Sequence, residues 1–280
     1  MVVYGTNVSS RAKGNARIIQ LKPGKPGASV FFVPGTGGRV EGFTNLAMLL
    51  QTSMPVYAIE ARGVQTSSEP DDDIEELVDH YLQQIKVLDP TGPYFLLGHS
   101  FGGMVVYEMA QRLIKTGSRV ACLILLDTLT PKALWPASFW AINMWDRIRG
   151  HIARVKSNPL KDTVAYYRRR LLRRRLGLHQ IPQDLMFGRD AARILLANEM
   201  LLKRWRPDFY PDKLTLFCAA DTKNLSRIWY PRVHELDYHR ASGGHINLIE
   251  PPHVASLARD ISLCLANVSA PMAKVPDARQ

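Results

Sequence analysis

Only three cysteines occur in 280 residues, Cys122, Cys218 and Cys264, and no two of them form a Cys-x-x-Cys pair. An odd, scattered set of this kind argues against a disulfide framework or a cysteine-based zinc site and fits a reducing compartment. Long hydrophobic runs are missing too. No stretch of about 18 apolar residues exists, and Met1 to Arg11 lack the apolar centre of a signal peptide. A soluble, cytoplasmic protein without a membrane partner is therefore expected. Charged residues make up only 22% of the chain against 46% hydrophobic, which excludes a disordered or coiled-coil polymer and leaves ample material for a core. Internal repeats and low-complexity linkers are also lacking.

What is present is an alternation. Short aliphatic runs at Ala16–Leu21, Val30–Val33, Val56–Glu60, Tyr94–Leu97, Arg119–Leu126, Leu214–Ala219 and Arg232–Tyr238 read as strands. Helical spacing lies between most of them: Ile74, Leu77, Tyr81 and Ile85 after an acidic start at Asp71-Asp72-Asp73, then Phe101 to Lys115 with Gly117 as a stop, then His253 to Val268. Strands alternating with helices predict a mostly parallel central sheet with helices on both faces. The alternation breaks between Asp127 and Leu214. From Pro131 to Tyr210 the chain carries 17 Lys and Arg against 6 Asp and Glu, a net +11 equal to that of the whole protein. Everything outside that segment balances.

The segment reads as a basic helical lid on a neutral α/β core. Residues 1–29 are then an N-terminal extension and first strand, 30–130 and 211–268 the two parts of the core, 131–210 the lid, and 269–280 a C-terminal tail. Arg168–Arg170 and Arg173–Arg175 raise the question of a nucleic-acid partner. That reading is disfavoured, because a basic run on a helix is usually a solvated face and no nucleic-acid motif accompanies it.

The chemistry-bearing stretch is Tyr94 to Gly103, an apolar strand running through Gly98-His99-Ser100-Phe101-Gly102 straight into a helix. In that context Gly-x-Ser-x-Gly is a nucleophile elbow. A strand turning at once into a helix strains the serine and tolerates no bulk at Gly98 or Gly102. Ser100 then stands at a helix N-terminus, where the Phe101 N–H can donate to a developing oxyanion.

A serine needs a base, and the base needs an acid to fix its tautomer. Asp127 follows one apolar strand and Asp221 another, so each is placed at the sheet edge where α/β sites form. Position alone does not rank them. Of eight histidines, His245 follows the last strand and the flexible pair Gly243-Gly244, which lets its ring reach over the edge. His239 and His253 are its competitors, and His99, within the elbow, is expected to point away from the nucleophile. A second oxyanion donor is expected from the loop Pro34-Gly35-Thr36-Gly37-Gly38. This loop has neither the Lys-Ser/Thr of a P-loop nor dinucleotide-fingerprint spacing.

Four motifs in order, Pro34-Gly35-Thr36-Gly37-Gly38, Gly98-His99-Ser100-Phe101-Gly102-Gly103, Leu125-Leu126-Asp127-Thr128 and Gly243-Gly244-His245 with Glu250-Pro251-Pro252-His253-Val254, resemble the thioesterase domains of nonribosomal peptide and polyketide synthases. The similarity runs from about Val30 to Leu265 and is weakest in the lid. The resemblance implies an α/β-hydrolase fold, Ser100 as acyl acceptor, His245 as general base and Asp127 as orienting acid. It further implies oxyanion donors at Phe101 and Thr36, with Gly35 or Gly37 as alternatives to the latter, no cofactor and no metal, and an acyl or peptidyl carrier protein as partner, bearing a thioester on phosphopantetheine. Release by hydrolysis or by cyclisation would both fit. Chain-terminating members resemble the Asp127 arrangement and stand-alone editing members place the acid where Asp221 stands; the Leu-Leu-Asp-Thr context favours Asp127. An oxygen-ester hydrolase would keep the same residues. No carrier-protein domain is legible before Val30, which reads as an excised domain or a free-standing enzyme.

Overall fold

The computed structural model describes residues 17–64, 68–157 and 189–269. The arginine run at Arg168–Arg175 and the C-terminal tail from 270 lie outside them. Seven strands form one sheet: β1 (Arg17–Lys22), β2 (Val30–Val33), β3 (Val56–Glu60), β4 (Tyr94–His99), β5 (Val120–Leu126), β6 (Tyr210–Cys218) and β7 (Val233–Arg240). Their order across the sheet is β1-β3-β2-β4-β5-β6-β7, with β1 antiparallel to β3 and every other pairing parallel.

Burial explains the order. All of Val30–Val33 and most of Tyr94–His99 are buried, as a central parallel strand covered on both faces requires, whereas β1 on the edge is only half-buried throughout. One face is covered by α2 (Ile74–Leu88) and α3 (Phe101–Lys115), the other by α1 (Thr44–Leu49) and α7 (Val254–Ser269). The helix α2 begins where Asp73 caps it, its carboxylate accepting from the N–H groups of Glu75 and Glu76 at 2.8 and 3.1 Å. Helix α3 stops at Gly117, whose φ of +78° lets the Ser118 N–H return to the Leu113 carbonyl at 2.8 Å.

Between β5 and β6 lie α4 (Ala137–Ser157) and α5 (Arg189–Arg204), and α6 (Ser226–Trp229) precedes β7. Phe139, Leu201 and Trp205 bury their side chains against the face carrying α3. Strand β6 begins at Tyr210, four residues before the apolar run that marks it in the sequence, because Tyr210 pairs with Val233 across an irregular register. Helices α1 and α6 have no counterpart in the sequence reading; at six and four residues they are too short to show a period. Among the described residues no helix is long and apolar enough to cross a membrane.

The chain leaves β2 toward β3 on one side and leaves β4 toward β5 on the other, so the carboxyl ends of β2 and β4 flank the point where the winding reverses. Crevices in open α/β sheets form at such a point. Here the approach is extreme. A Cβ on Gly98 would lie 2.2 Å from the Gly102 carbonyl oxygen, and one on Gly102 would lie 2.1 Å from that of Val33. Gly102→Ala should therefore destabilise the protein by about 3 kcal/mol or more, since only backbone can give way. Gly117→Ala, with open space around it, should cost only the left-handed backbone, about 1–2 kcal/mol. Urea midpoints of the two variants, compared at unchanged m, check the ranking.

Candidate active site

Ser100 closes β4 with φ 55° and ψ −115°, a left-handed conformation forced by the turn from strand into α3. Its own N–H donates to the Leu126 carbonyl at 2.8 Å, which fastens the elbow to the end of β5. The next residue on that strand, Asp127, also has a positive φ of 46° and donates its N–H to Phe217 at 2.7 Å. Two adjacent strands thus end in two left-handed polar residues, one presenting a hydroxyl and the other a carboxylate.

The Asp127 side chain is wholly buried and fully engaged. Oδ1 accepts from the Ala219 N–H at 2.9 Å, and Oδ2 accepts from the Thr222 hydroxyl at 2.7 Å and from His245 Nδ1 at 2.6 Å. Burial alone would raise the pKa of such a carboxyl, but the bonds from His245, Thr222 and Ala219 outweigh it and hold the group below the usual range. The same bond raises His245 above the ordinary value of 6.5, against the opposing effect of burial. With Nδ1–H committed to Asp127, the neutral ring keeps Nε2 as its acceptor.

Asp221 lies beside the same histidine but meets a different part of it. Its Oδ1 accepts the backbone N–H of His245 at 2.9 Å, and a Cβ on Gly244 would come within 2.6 Å of its Oδ2. The glycine before His245 is therefore needed for this carboxylate to reach the loop. The structure brings Asp127 to the ring and Asp221 to the backbone. His239 Nε2 lies 2.9 Å from Asp237 Oδ1 with its ring stacked on Phe217, and His253 sits 3.3 Å from the Ser242 hydroxyl, so neither competitor meets Asp127.

Three partners escaped the sequence reading. Thr222 follows a candidate acid, yet its service to Asp127 depends on β5 and β6 pairing Leu126 with Phe217. His99 sits within the elbow, and its ring lies 5.2 Å from that of His245, its Nε2 donating to the His245 carbonyl at 3.1 Å. Burial, with the neighbouring His245, pushes His99 down to about 4, so it stays neutral and can act as a fixed donor. Asn198 on α5 donates to the Thr36 carbonyl at 2.8 Å, a link across 162 residues that no local pattern marks.

Phe101 follows Ser100 in the chain, and the loop that carries Thr36 approaches Ser100 at Gly35. Phe101 is the first residue of α3 and is buried. Thr36 lies in the turn closed by the Gly38 N–H on the Gly35 carbonyl at 2.9 Å, and a Cβ on Gly35 would stand 3.6 Å from that of Ser100.

A mostly parallel seven-stranded sheet flanked by helices, with a strained serine after its central strand, is the α/β-hydrolase fold. Residues 28–263 match the family model described as the thioesterase domain, so the chain belongs to that family. Malpinin synthetase of Mortierella alpina is 37% identical over 111 residues, 40% of this chain and 1% of the relative. Vanchrobactin synthetase VabF of Vibrio anguillarum is 23% identical over 270 residues, 92% of this chain and 9% of the relative. The chain thus spans less than a tenth of the length of these large synthetases. The NocB thioesterase domain from the nocardicin cluster superimposes with a TM-score of 0.62 at 19% identity, over 90% of this chain and 99% of that one.

The electrostatics predict how two carboxylates share in the titration of His245. By NMR, His245 should titrate above 6.5, and Asp127→Asn should bring it down by removing the main cause of the shift. Asp221→Asn should move it less, since that carboxylate is the weakest of the contributors. A larger shift from Asp221→Asn would reverse the assignment of the ring's partner.

Proposed function

We propose that this chain releases an acyl, peptidyl or polyketide chain from a phosphopantetheine thioester on a carrier protein, through an ester on Ser100. The observation that carries the reading is the bond from His245 Nδ1 to the buried Asp127 carboxylate, beside a serine strained at the reversal point of a thioesterase-family sheet. Ser100 Oγ attacks the thioester carbonyl while His245 Nε2 takes its proton. The N–H groups of Phe101 and Thr36 hold the resulting oxyanion. Collapse expels the pantetheine thiolate, which leaves as a thiol with the proton from the imidazolium. Water, or an amine or hydroxyl within the chain, then attacks the ester with His245 again as base, giving an acid or a ring and restoring Ser100.

In this reading Asp127 holds the catalytic tautomer and Asp221 holds the loop that carries His245, which supports the chain-terminating arrangement over the editing one. The surroundings of the relatives support the carrier-protein partner: the chain matches segments of synthetases many times its length. The substrate is presented on phosphopantetheine, and Ser100, His245 and the backbone donors suffice for the steps without a cofactor or metal.

Turnover of an acyl-pantetheine thioester and of its oxygen ester tests the proposal. The thioester should be preferred. Ser100→Ala should abolish turnover apart from a residue on the order of 10³-fold over the uncatalysed rate. Asp127→Asn should lower kcat by up to about 10⁴, as wrong-tautomer variants do, whereas Asp221→Asn should be mild. Full activity in Ser100→Ala removes the nucleophile, and a preference for the oxygen ester removes the thioesterase reading. Loss from Asp221→Asn exceeding that from Asp127→Asn moves the protein to the editing arrangement.

A further inference from the structure

The loop Gly35–Gly38 has its carbonyls tied down from three directions. That of Gly35 accepts from the Gly38 N–H at 2.9 Å, that of Gly38 from the Ala61 N–H at 2.9 Å, and that of Thr36 from the side-chain amide of Asn198 at 2.8 Å. The first two bonds lie within the core of the fold. The third comes from α5, in the segment between β5 and β6, and Asn198 is only 5% exposed.

The three bonds do different things. In a planar trans peptide the N–H points opposite to the C=O, so pinning a carbonyl aims the N–H that shares its plane. The Gly35 carbonyl shares its plane with the Thr36 N–H, and the Thr36 carbonyl shares its plane with the Gly37 N–H. A peptide followed by glycine flips at little steric cost, and around Gly37 a Cβ would meet nothing within 4 Å. Among the described residues, the Asn198 amide is the one hydrogen-bond donor to the carbonyl of the Thr36–Gly37 plane. One turn earlier on α5, Ile194 packs on the same loop: its Cγ2 would lie 3.4 Å from a Cβ on Gly38 and its Cγ1 3.6 Å from one on Gly63. Ile194 and Asn198, four residues apart, present one face of α5 to the loop.

We infer that Asn198 is a positioning residue for the oxyanion hole: by fixing the Thr36–Gly37 peptide at the centre of the Gly35–Gly38 turn, it keeps that turn in the form in which the Thr36 N–H faces the reacting carbonyl. The inference rests on the proposed role of the Gly35–Gly38 loop. It makes α5 a working part of the catalytic apparatus rather than only a cover over the substrate. Displacing α5 would loosen the oxyanion hole even with Ser100, His245 and Asp127 undisturbed.

A donor that is misaimed rather than removed should cost less than the 10²–10³ of a deleted oxyanion contact, so about ten- to a hundredfold is expected from Asn198→Ala. The loss should fall on kcat, with KM for an acyl-pantetheine thioester changed by less than about twofold. Binding of an alkyl boronic acid, whose adduct on Ser100 is tetrahedral and anionic, should weaken in parallel with kcat. Binding of the unreactive acyl-pantetheine amide, which stays planar, should not. Asn198→Leu keeps comparable volume without a donor and should behave alike, which covers the case in which the alanine variant fails to fold. Met200→Ala, on an exposed part of the same helix, should leave all three measurements unchanged.

Wild-type boronate affinity in both Asn198 variants would overturn the inference, as would an equal weakening of boronate and amide, which marks a merely structural residue. A wild-type enzyme that forms no boronate adduct on Ser100 would instead overturn the proposed catalytic reading, and the role of Asn198 with it.

Discussion

Where β4 turns into α3 against the end of β2, backbones approach too closely for any side chain between them. Gly98, Gly102 and Gly103 leave no room there for a Cβ, the last because it would strike the buried Thr128 side chain. This contact fixes the serine between them in a left-handed conformation that a non-glycine residue adopts only when its surroundings dictate it. From it follow the placement of Ser100 at a helix N-terminus, the nearness of the β2 loop and the need for β5 to end beside the elbow. The surrounding apolar layers, with Phe31, Phe32, Leu96, Leu97 and Met104 all buried, provide the packing that holds the strain.

The second organising feature is a division of labour between carboxylates. Asp127 is buried, satisfied by three donors and turned to a ring nitrogen; Asp221 is turned to the backbone of the loop bearing that ring. A neutral histidine, His99, supports the same loop through the His245 carbonyl. His245 is thus held at its ring, at its backbone N–H and at its backbone C=O by three different side chains. Such redundancy suits the proposed role, in which the ring receives and returns a proton without moving. The raised His245 pKa and the lowered Asp127 pKa are two sides of one interaction, and both favour the charge-separated pair that the proposed proton transfer from Ser100 would create.

Much of this architecture was legible in the sequence because its determinants are local. The strands at Val30–Val33 and Val56–Glu60 appear residue for residue, since short aliphatic runs bounded by turn residues leave little choice. The elbow announces itself by its glycines, which a backbone contact demands. Asp127 and Asp221 could not be separated on position, since both follow a strand of the same sheet; what distinguishes them is the direction each carboxylate takes, and that depends on the positive φ at Asp127. Thr222, His99 and Asn198 were invisible as site residues for the same reason. Each acts through a hydrogen bond between segments far apart in the chain, and side-chain direction across a sheet edge leaves no periodic trace.

The central claim is that the hydroxyl at the elbow becomes acylated. Rapid-quench intact-mass analysis of the protein mixed with a panel of acyl-pantetheine thioesters, followed by peptide mapping, tests it most directly. One acyl group per chain, located on Ser100 and decaying at the rate of product release, is the expected result. Turnover of a thioester with no adduct on Ser100 at any quench time, or with the acyl group on another residue, would contradict it.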